Sequence, residues 1–593
     1  MVGDGVDAIA ESVLGGDQER VAELVGHALA EGLDPQAILE GGLTTAMQVV
    51  GDKFAKGKLF IPEMLLAARA MQQGVDLLAP YLVDTPQDTK GTAVIGTVQG
   101  DMHDIGKNLV GLMLKGVGFK VVDLGTNVSP DAFAEAARIH RPQIVGLSAL
   151  LTTTMVNMEV VIDALREAGI RDQVEVMVGG APVTQAFAEE IGADTCADDA
   201  GAAAQMALAL IQERQPKVPR PKPRIELRAP GLAEPSGEKP AIRVEDLAPD
   251  LALPHKDRIF NAMRLQEGPV PWVEIVVDEV VMAKVLGQVP RDWMPESEAE
   301  TKLGLSWEEK VDFARRVGLS ALGIFHWENL GSHQTGEFQV VARESMIKSR
   351  ADLGRLRVPR LTASDLYPEV EKALAAIGDT GIALFVEFAF CFDPAISDLG
   401  FENFCYQMND DPGFVVEIFK RYEEYIGNLI DIYSEMPEID FIWVGDDVAF
   451  KSGPFLAPET LREHVFPAFQ RMAARIRKPW TFHSDGDLSQ VLDDILALGP
   501  NALHPIEPKC NDMYQLKRDI GDRVCLNGNL DVDLIARGTR QQVVDETWRL
   551  LTYLNKGGGY MFSSGNAVSY FANVDNVLAV ADTIRRFNAD TYG

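Results

Sequence analysis

The sequence predicts an α/β chain of several domains: a four-helix bundle, then a doubly wound parallel sheet, then a (β/α)8 barrel. Three observations predict it. Apolar residues recur at helical spacing within residues 1–88. Residues 89–213 alternate short β-branched runs with amphipathic ones, the pattern of a parallel sheet covered by helices. Residues 256–593 hold eight strand-like runs, most of them separated by long helical patterns, in a length that suits one barrel.

The bundle rests on Val21, Leu24, Val25, Ala28 and Leu29 and on Met64, Leu65, Ala68, Met71, Val75 and Leu78. Pro35 and Pro62 suit first-turn positions, where no N–H is needed. In the sheet, strands are expected over residues 93–96, 120–124, 144–148 and 175–178, with a short fifth over 195–197. The run Gly100-Asp101-Met102-His103-Asp104-Ile105-Gly106-Lys107-Asn108 follows the first strand and opens a helix. His103 is thereby presented at the carboxyl end of a parallel strand, where open α/β sheets bind ligands. Asp101 is near enough to hold one ring nitrogen and leave the other for a metal. Gly106 lets a bulky ligand approach the helix start. Residues 214–255 read as a flexible linker, proline-rich and basic at Gln215-Pro216-Lys217-Val218-Pro219-Arg220-Pro221-Lys222-Pro223-Arg224. Barrel strands are expected over 270–277, 321–325, 382–388, 441–444, 480–482, 502–505, 524–527 and 560–563.

Of 593 residues, 46% are hydrophobic and 24% charged, ordinary for a globular protein. A formal charge of −33, from 55 basic and 88 acidic side chains, argues against nucleic acid or an anionic membrane as a main partner. No run reaches the ~18 apolar residues of a transmembrane helix. The N-terminus is acidic and lacks the basic start of a secretory signal. The five cysteines form no C-x-x-C pair. A reducing cytoplasm is the expected location.

Downstream of the histidine turn come Gly146-Leu147-Ser148-Ala149-Leu150-Leu151-Thr152-Thr153-Thr154 and Val178-Gly179-Gly180-Ala181-Pro182, and upstream lie residues 50–63 with Phe54 and Ile61. This set, in this order, resembles the cobalamin-binding module of methionine synthase and of the small corrinoid proteins of methylotrophic methyltransferase systems. The resemblance spans roughly residues 1–213. It implies a helical cobalamin cap over 1–88 and a flavodoxin-like cobalamin-binding domain over 89–213. It also implies that His103 displaces the cofactor's own benzimidazole and binds cobalt from below, with Asp101 and Ser148 tuning that bond. Ser148, Leu150, Thr152, Gly179 and Gly180 would line a slot for the nucleotide tail. Phe54 and Ile61, which spacing alone leaves in the core, would lie against the upper face of the corrin.

Functional residues of a barrel gather at its strand ends. Here those ends carry His326-Trp327-Glu328, Glu387, Gly445-Asp446-Asp447, His483-Ser484-Asp485-Gly486, His504-Pro505-Ile506-Glu507, Asn527-Gly528-Asn529 and Ser564-Gly565-Asn566. They are expected to converge on one mouth. Trp272, Phe325, Trp327, Phe388 and Phe390 suit either an apolar wall or plain core. Together with Asp410-Asp411-Pro412, residues 501–508 and Gly557-Gly558-Gly559-Tyr560, this order of motifs resembles the uroporphyrinogen decarboxylase superfamily, with its TIM barrel. The likeness is to its corrinoid-linked methyltransferase branch, across nearly all of residues 256–593. Two departures matter. Decarboxylases of this superfamily use an arginine-bearing motif near the first strand. Here Pro269-Val270-Pro271-Trp272-Val273-Glu274 has none, so decarboxylation is not expected. Thiol-activating members hold zinc with a His-x-Cys pair and a later cysteine, whereas this chain keeps His483 but has Asp485 and Asn566 at the other positions. His483 with Asp447 and Asp485 can hold zinc, or act as an acid–base group without metal.

The two resemblances together imply a corrinoid-dependent methyltransferase. It would move a methyl group from a small methylated substrate, a methoxylated aromatic foremost, to cobalt(I) of bound cobalamin. Onward transfer would go to an acceptor such as tetrahydrofolate on another methyltransferase. His483, Asp447 and Asp485 would supply the proton or Lewis acid that the departing heteroatom needs. With no iron–sulfur cysteine spacing present, a separate reductive activator is expected. Transfer outward to a thiol such as coenzyme M, and a cobalamin sensor or carrier with a silent barrel, are the alternatives.

Overall fold

A computed structural model describes residues 2–55, 58–81, 90–99, 101, 105–149, 152–155, 157–180, 183–197, 200–212, 242–251, 253–291, 293, 295, 301–326, 330, 347–451 and 453–593. They divide into two compact units, one N-terminal and one C-terminal. The N-terminal unit opens with α1 (Val2–Leu14), α2 (Gln18–Ala30), a short α3 (Pro35–Ala37), a π-helical stretch (Ile38–Thr44) that runs into α4 (Thr45–Ala55), and α5 (Ile61–Leu78). Asp17 and Asp34 cap α2 and α3 by accepting from the N–H of Arg20 and Gln36. Pro35 and Pro62 fall in first turns, as their missing N–H predicts. Val21, Val25, Met64, Met71 and Leu78 are buried, so the apolar stripe of each helix faces its neighbours.

The sheet of this unit has β1 (Gly91–Thr97), β2 (Phe119–Asp123), β3 (Ile144–Ser148), β4 (Glu175–Gly179) and β5 (Thr195–Ala197), all parallel in the order β2-β1-β3-β4-β5. That is the flavodoxin-like order, and its switch point lies where β1 and β3 meet. Val94, Val145, Leu147, Val176 and Val178 form the core with Phe133 and Ile162 from the covering helices. Helix α6 (Ile105–Gly116) opens after the histidine turn. α4 packs closely on it: a Cβ on Gly51 would lie 3.1 Å from Met113 Cε. The bundle thus packs on the first helix of the sheet domain.

The C-terminal unit contains β6 (Ala321–His326), β7 (Ala383–Phe388), β8 (Phe441–Gly445), a small hairpin of β9 (Ala449–Phe450) and β10 (Gly453–Pro454), β11 (Trp480–His483), β12 (Ala502–His504), β13 (Cys525–Asn527) and β14 (Tyr560–Met561). Apart from the hairpin, the strands form one parallel sheet in the order β6-β7-β8-β11-β12-β13-β14. Trp272 closes the ring, bridging Leu319 on one side and Phe562 on the other. The N–H of Val273 donates to Phe562 O (2.9 Å) and that of Ser320 to Trp272 O (2.7 Å). The strand expected over residues 270–277 is reduced to such bridges. Pro269 and Pro271 have no N–H with which to continue a ladder.

Strand alternation decides what enters the barrel. Ala321, Ala383, Phe385, Phe441, Trp443, Ala502, Cys525 and Met561 share the interior core. Two residues beyond Phe385, Trp443, Ala502 and Cys525 come Glu387, Gly445, His504 and Asn527, so these form the inward layer nearest the carboxyl mouth. His483 joins them, paired in register with Gly445 and His504. Residues 215–224 lie outside the described residues. Residues 242–251 are fastened to the barrel unit: Ala248 N–H donates to Asp582 Oδ1 (2.9 Å), and buried Arg258 pairs with Asp250 (2.9 Å). Among the described residues, no helix is long and apolar enough to cross a membrane.

Candidate functional site

The first candidate site lies at the carboxyl ends of β1, β3 and β4. Asp101 is fully buried just beyond β1, and its carboxylate accepts from Thr154 Oγ1 (2.6 Å). Its backbone is pinned as well, with N–H to Val98 O (3.1 Å) and the Asn127 N–H to its O (2.9 Å). His103 and Leu150 lie outside the described residues. Gly106 falls in α6 and Thr152 opens the helix Thr152–Met155. Ser148 ends β3, half-buried, in register with Thr97 and Gly179. At Gly180, φ is +132°, and a Cβ would lie 1.8 Å from Ala149 O. No side chain fits there, so backbone alone lines the cleft between the β3 and β4 ends. Phe54 and Ile61 are both buried in the bundle. Sequence reasoning missed Thr154. It is the third residue of the T-T-T run, and its hydroxyl reaches Asp101.

The second candidate site is the barrel mouth. His483 Nε2 lies 3.7 Å from Asp447 Oδ1 and 3.7 Å from Asp485 Oδ1, and the three ligand atoms are within 4.8 Å of one another. Each is held in place. Asp447 accepts from the Asp485 N–H (2.7 Å), and its own N–H donates to Asp393 Oδ2 (2.8 Å). Asp485 Oδ2 accepts from Asn566 Nδ2 (2.6 Å), while its buried Oδ1 has no hydrogen bond. His483 Nδ1 lies 2.7 Å from His504 Nδ1, with the rings stacked 5.0 Å apart. Trp443 meets His504 edge-on at 4.8 Å.

Burial sets the charge states here. It lowers the pKa of both histidines, His504 the more strongly, with Asp447 opposing it at His483 and His483 adding to it at His504. Burial raises Asp485 well above the usual carboxylate range, aided by Asp447 and Glu507. Glu387 rises in the same way, aided by Asp447. Glu387 is fully buried and neither of its oxygens has a hydrogen-bond partner. The same holds for both amide atoms of Asn527, for His504 Nε2 and for Trp443 Nε1. Buried polar groups are normally paired, so this many orphans on one inward layer point to a ligand or solvent that completes them.

Not every residue of the expected ring faces the mouth. His326 follows inward Phe325 and so points outward, to Tyr433 Oη at 2.5 Å. Asp446 is fully buried and takes the N–H groups of Cys391, Phe392 and Asp393 (2.7–3.0 Å), capping the helix Phe392–Leu399. Asn529 donates to Ile506 O (2.8 Å). Ser564 binds Glu274, whose carboxylate also accepts from Trp272 Nε1 (2.7 Å). Phe390 packs on Phe469 and Trp480 as core. Trp327 and Glu328 lie outside the described residues.

Comparison with known proteins matches both units. Residues 6–79 and 91–209 each match a family model described as B12 binding domain, and residues 345–587 match one described as Uroporphyrinogen decarboxylase (URO-D). Trimethylamine corrinoid protein 1 of Methanosarcina acetivorans is 50% identical over 186 residues, 31% of this chain and 86% of that protein. Among solved structures, the methanol:cobalamin methyltransferase complex MtaBC from Methanosarcina barkeri is similar over 36% of this chain and 81% of its own, at 32% identity and a TM-score of 0.34. A methyltransferase from Methanosarcina mazei is similar over 56% of this chain and 99% of its own, at 19% identity and a TM-score of 0.45. Cobalamin is therefore the cofactor of the N-terminal unit, and the chain belongs to the corrinoid protein family, carrying a uroporphyrinogen decarboxylase-type barrel C-terminal to its B12-binding domains.

Proposed function

We propose that the chain is a corrinoid-dependent methyltransferase that takes a methyl group from a small O- or N-methyl compound. The observation that carries this is the half-buried Asp447–His483–Asp485 cluster at a barrel mouth, in the same chain as a B12-binding domain. Methoxylated aromatics, methylated amines and methanol are donor classes that this chemistry admits. The name of the trimethylamine corrinoid relative lends support to the methylated amines.

The residues present fit cobalamin: Gly180 leaves a cradle that a Cβ would fill, and Asp101, two residues before His103 in the sequence, is fixed by Thr154. Cobalamin, when bound and reduced, would supply the cobalt nucleophile for a methyl carbon. His103 would hold the cobalt and Asp101 would orient that imidazole. Ser148, Leu150, Thr152, Gly179 and Gly180 would make room for the nucleotide tail, Gly106 would clear the helix start, and Phe54 and Ile61 would lie against the corrin.

In the barrel, the task is to ease the departure of oxygen or nitrogen. Neutral His483 keeps its Nε2 directed at Asp447 and Asp485, and burial keeps a proton on Asp485, so the cluster can hold and deliver that proton. The N,O donor set and the orphaned Asp485 Oδ1 also fit zinc, which as a Lewis acid would polarise the departing atom. Carboxylate and amide at positions 485 and 566, in place of thiolates, weigh against a thiol acceptor. The onward acceptor is a one-carbon carrier such as tetrahydrofolate on a separate methyltransferase, a separate reductive activator restores the cofactor, and the reaction belongs to the cytoplasm.

The test is to reduce the cobalamin-loaded chain without oxygen and add donors singly while following the visible spectrum. Loss of the cobalt(I) band with one donor class supports the proposal. No loss with any donor, together with methyl release to an added thiol, overturns it.

A further inference from the structure

His483 and His504 end the neighbouring strands β11 and β12 and are paired in register, so both side chains project into the barrel on one layer. Their rings stack 28° from parallel with 5.0 Å between centroids, and Nδ1 faces Nδ1 at 2.7 Å. His504 is 1% exposed and Trp443 packs on it edge-on, so its ring plane is fixed from two sides. Two imidazole nitrogens at that distance share a single proton, one as donor and one as acceptor. The states of the two far nitrogens are thereby linked. When His483 donates through Nδ1, its own Nε2 keeps a free lone pair. When His504 donates, a neutral His483 carries its hydrogen on Nε2 instead. Among the described residues His504 Nε2 has no partner, so no other bond ties His504 to one tautomer.

We infer that His504 is a positioning residue for His483: it accepts the Nδ1 proton and leaves the Nε2 lone pair facing the point shared with Asp447 and Asp485, as the ligand of a divalent metal ion. The inference rests on the zinc reading of this cluster and adds the group that prepares it. His483 Nε2 lies 3.7 Å from Asp447 Oδ1 and 3.7 Å from Asp485 Oδ1. Two ligand atoms about 2.1 Å from one zinc ion stand roughly 3.4 Å apart at the tetrahedral angle, so small movements complete the site. At 3.7 Å neither carboxylate hydrogen-bonds Nε2, and the buried Asp485 Oδ1 has no other partner, so nitrogen and oxygen are both open to an ion. Ligating histidines usually donate their second N–H to a carboxylate or a carbonyl. An imidazole in that place accepts the same proton and adds no charge. Two ionised aspartates and a divalent ion then sum to zero, which suits a half-buried site, whereas a carboxylate behind His483 would leave it negative.

The test uses the full chain, freed of metal and titrated with zinc against a chromogenic chelator. Wild type is expected to hold one tight equivalent that His483→Ala loses. His504→Phe keeps a ring against Trp443 but removes the acceptor, and should weaken zinc by about 10- to 100-fold. His504→Asn places an amide oxygen where Nδ1 stood, and should recover most of that loss although it gives up the ring. A role in packing alone predicts the opposite order, with His504→Phe the better of the two. If His504→Phe does not fold, His504→Leu takes its place in the comparison. Equal zinc affinity in wild type and His504→Phe, His504→Asn no better than His504→Phe, or no tight zinc in wild type would each overturn the inference. Cobalt(I) loss with a methyl donor alongside any of these results leaves the methyltransferase reading standing. The expected order of zinc affinities with no cobalt(I) loss removes that reading and keeps this inference.

Discussion

Glu274 sits where the barrel closes, and replacing it with glutamine separates its charge from its shape. Its carboxylate accepts from Trp272 Nε1 (2.7 Å), the Ser564 N–H (2.8 Å) and Ser564 Oγ (2.7 Å). Burial outweighs these bonds and pushes its pKa from 4.5 up to about 7. The unfolded chain loses this proton near pH 4.5 and the folded chain holds it to near pH 7. Between those values the unfolded state binds fewer protons, so stability is fully present below pH 4.5 and is lost as pH rises through 7. At 1.36 kcal/mol per pH unit the whole loss is about 3 kcal/mol, of which about 2 kcal/mol falls between pH 5.5 and pH 8. In Glu274→Gln the amide oxygen accepts from Trp272 and the Ser564 N–H, and the amide nitrogen donates to Ser564 Oγ, with no titration. Glu387, Asp393 and Asp485, which burial also raises, are common to both proteins and cancel in the comparison. Urea unfolding followed by tryptophan fluorescence at the two pH values gives the number. The variant should gain about 2 kcal/mol on wild type between pH 5.5 and pH 8. An identical difference at both pH values would refute the claim that burial keeps Glu274 protonated.

Three further outcomes follow from the packing. Gly180→Ala places a Cβ 1.8 Å from Ala149 O at a φ of +132°. It should cost about 2 kcal/mol or more and lower the cobalamin retained through gel filtration, while the barrel's melting transition stays put. Thr154→Val keeps the side-chain shape but removes a hydrogen bond to the buried Asp101 carboxylate. A loss of about 1–3 kcal/mol in cobalamin-bound stability is expected, and Thr154→Ser should restore most of it. Asp446→Ala strands three backbone N–H groups at the start of the helix Phe392–Leu399, so the barrel transition should fall by about 3 kcal/mol or more. Asp446→Asn, which retains an acceptor oxygen, should cost less, as a comparison of melting curves would show.

Much of this architecture is legible in the sequence because parallel strands buried on both faces read as continuous apolar runs. The expected runs over 144–148 and 195–197 coincide with β3 and β5, and the other strands of that sheet differ by one or two residues at an end. The first barrel strand failed for a local reason, since two prolines within three residues leave only bridges. At the mouth, strand alternation suffices inside an element: it sends Phe325 inward and His326 outward, and it places Glu387, His483 and His504 on one layer. Past a strand end that rule lapses. Asp446 and Asp447 are neighbours of the same type, yet one caps a helix and the other faces His483. Their fates depend on the path of residues 391–393, which no local pattern encodes. Thr154 was hidden in the same way, behind two identical residues.

The central claim is that the barrel and the corrinoid unit perform one methyl transfer. It is tested most directly on the cobalamin-loaded chain, reduced to cobalt(I) under anaerobic conditions and mixed with a methylated amine or a methoxyarene. The account predicts loss of the cobalt(I) band in the visible spectrum with a donor and its absence in His483→Ala, whose bound cobalamin is unchanged. Equal rates of band loss in wild type and His483→Ala would contradict it, because the chemistry would then not need the barrel.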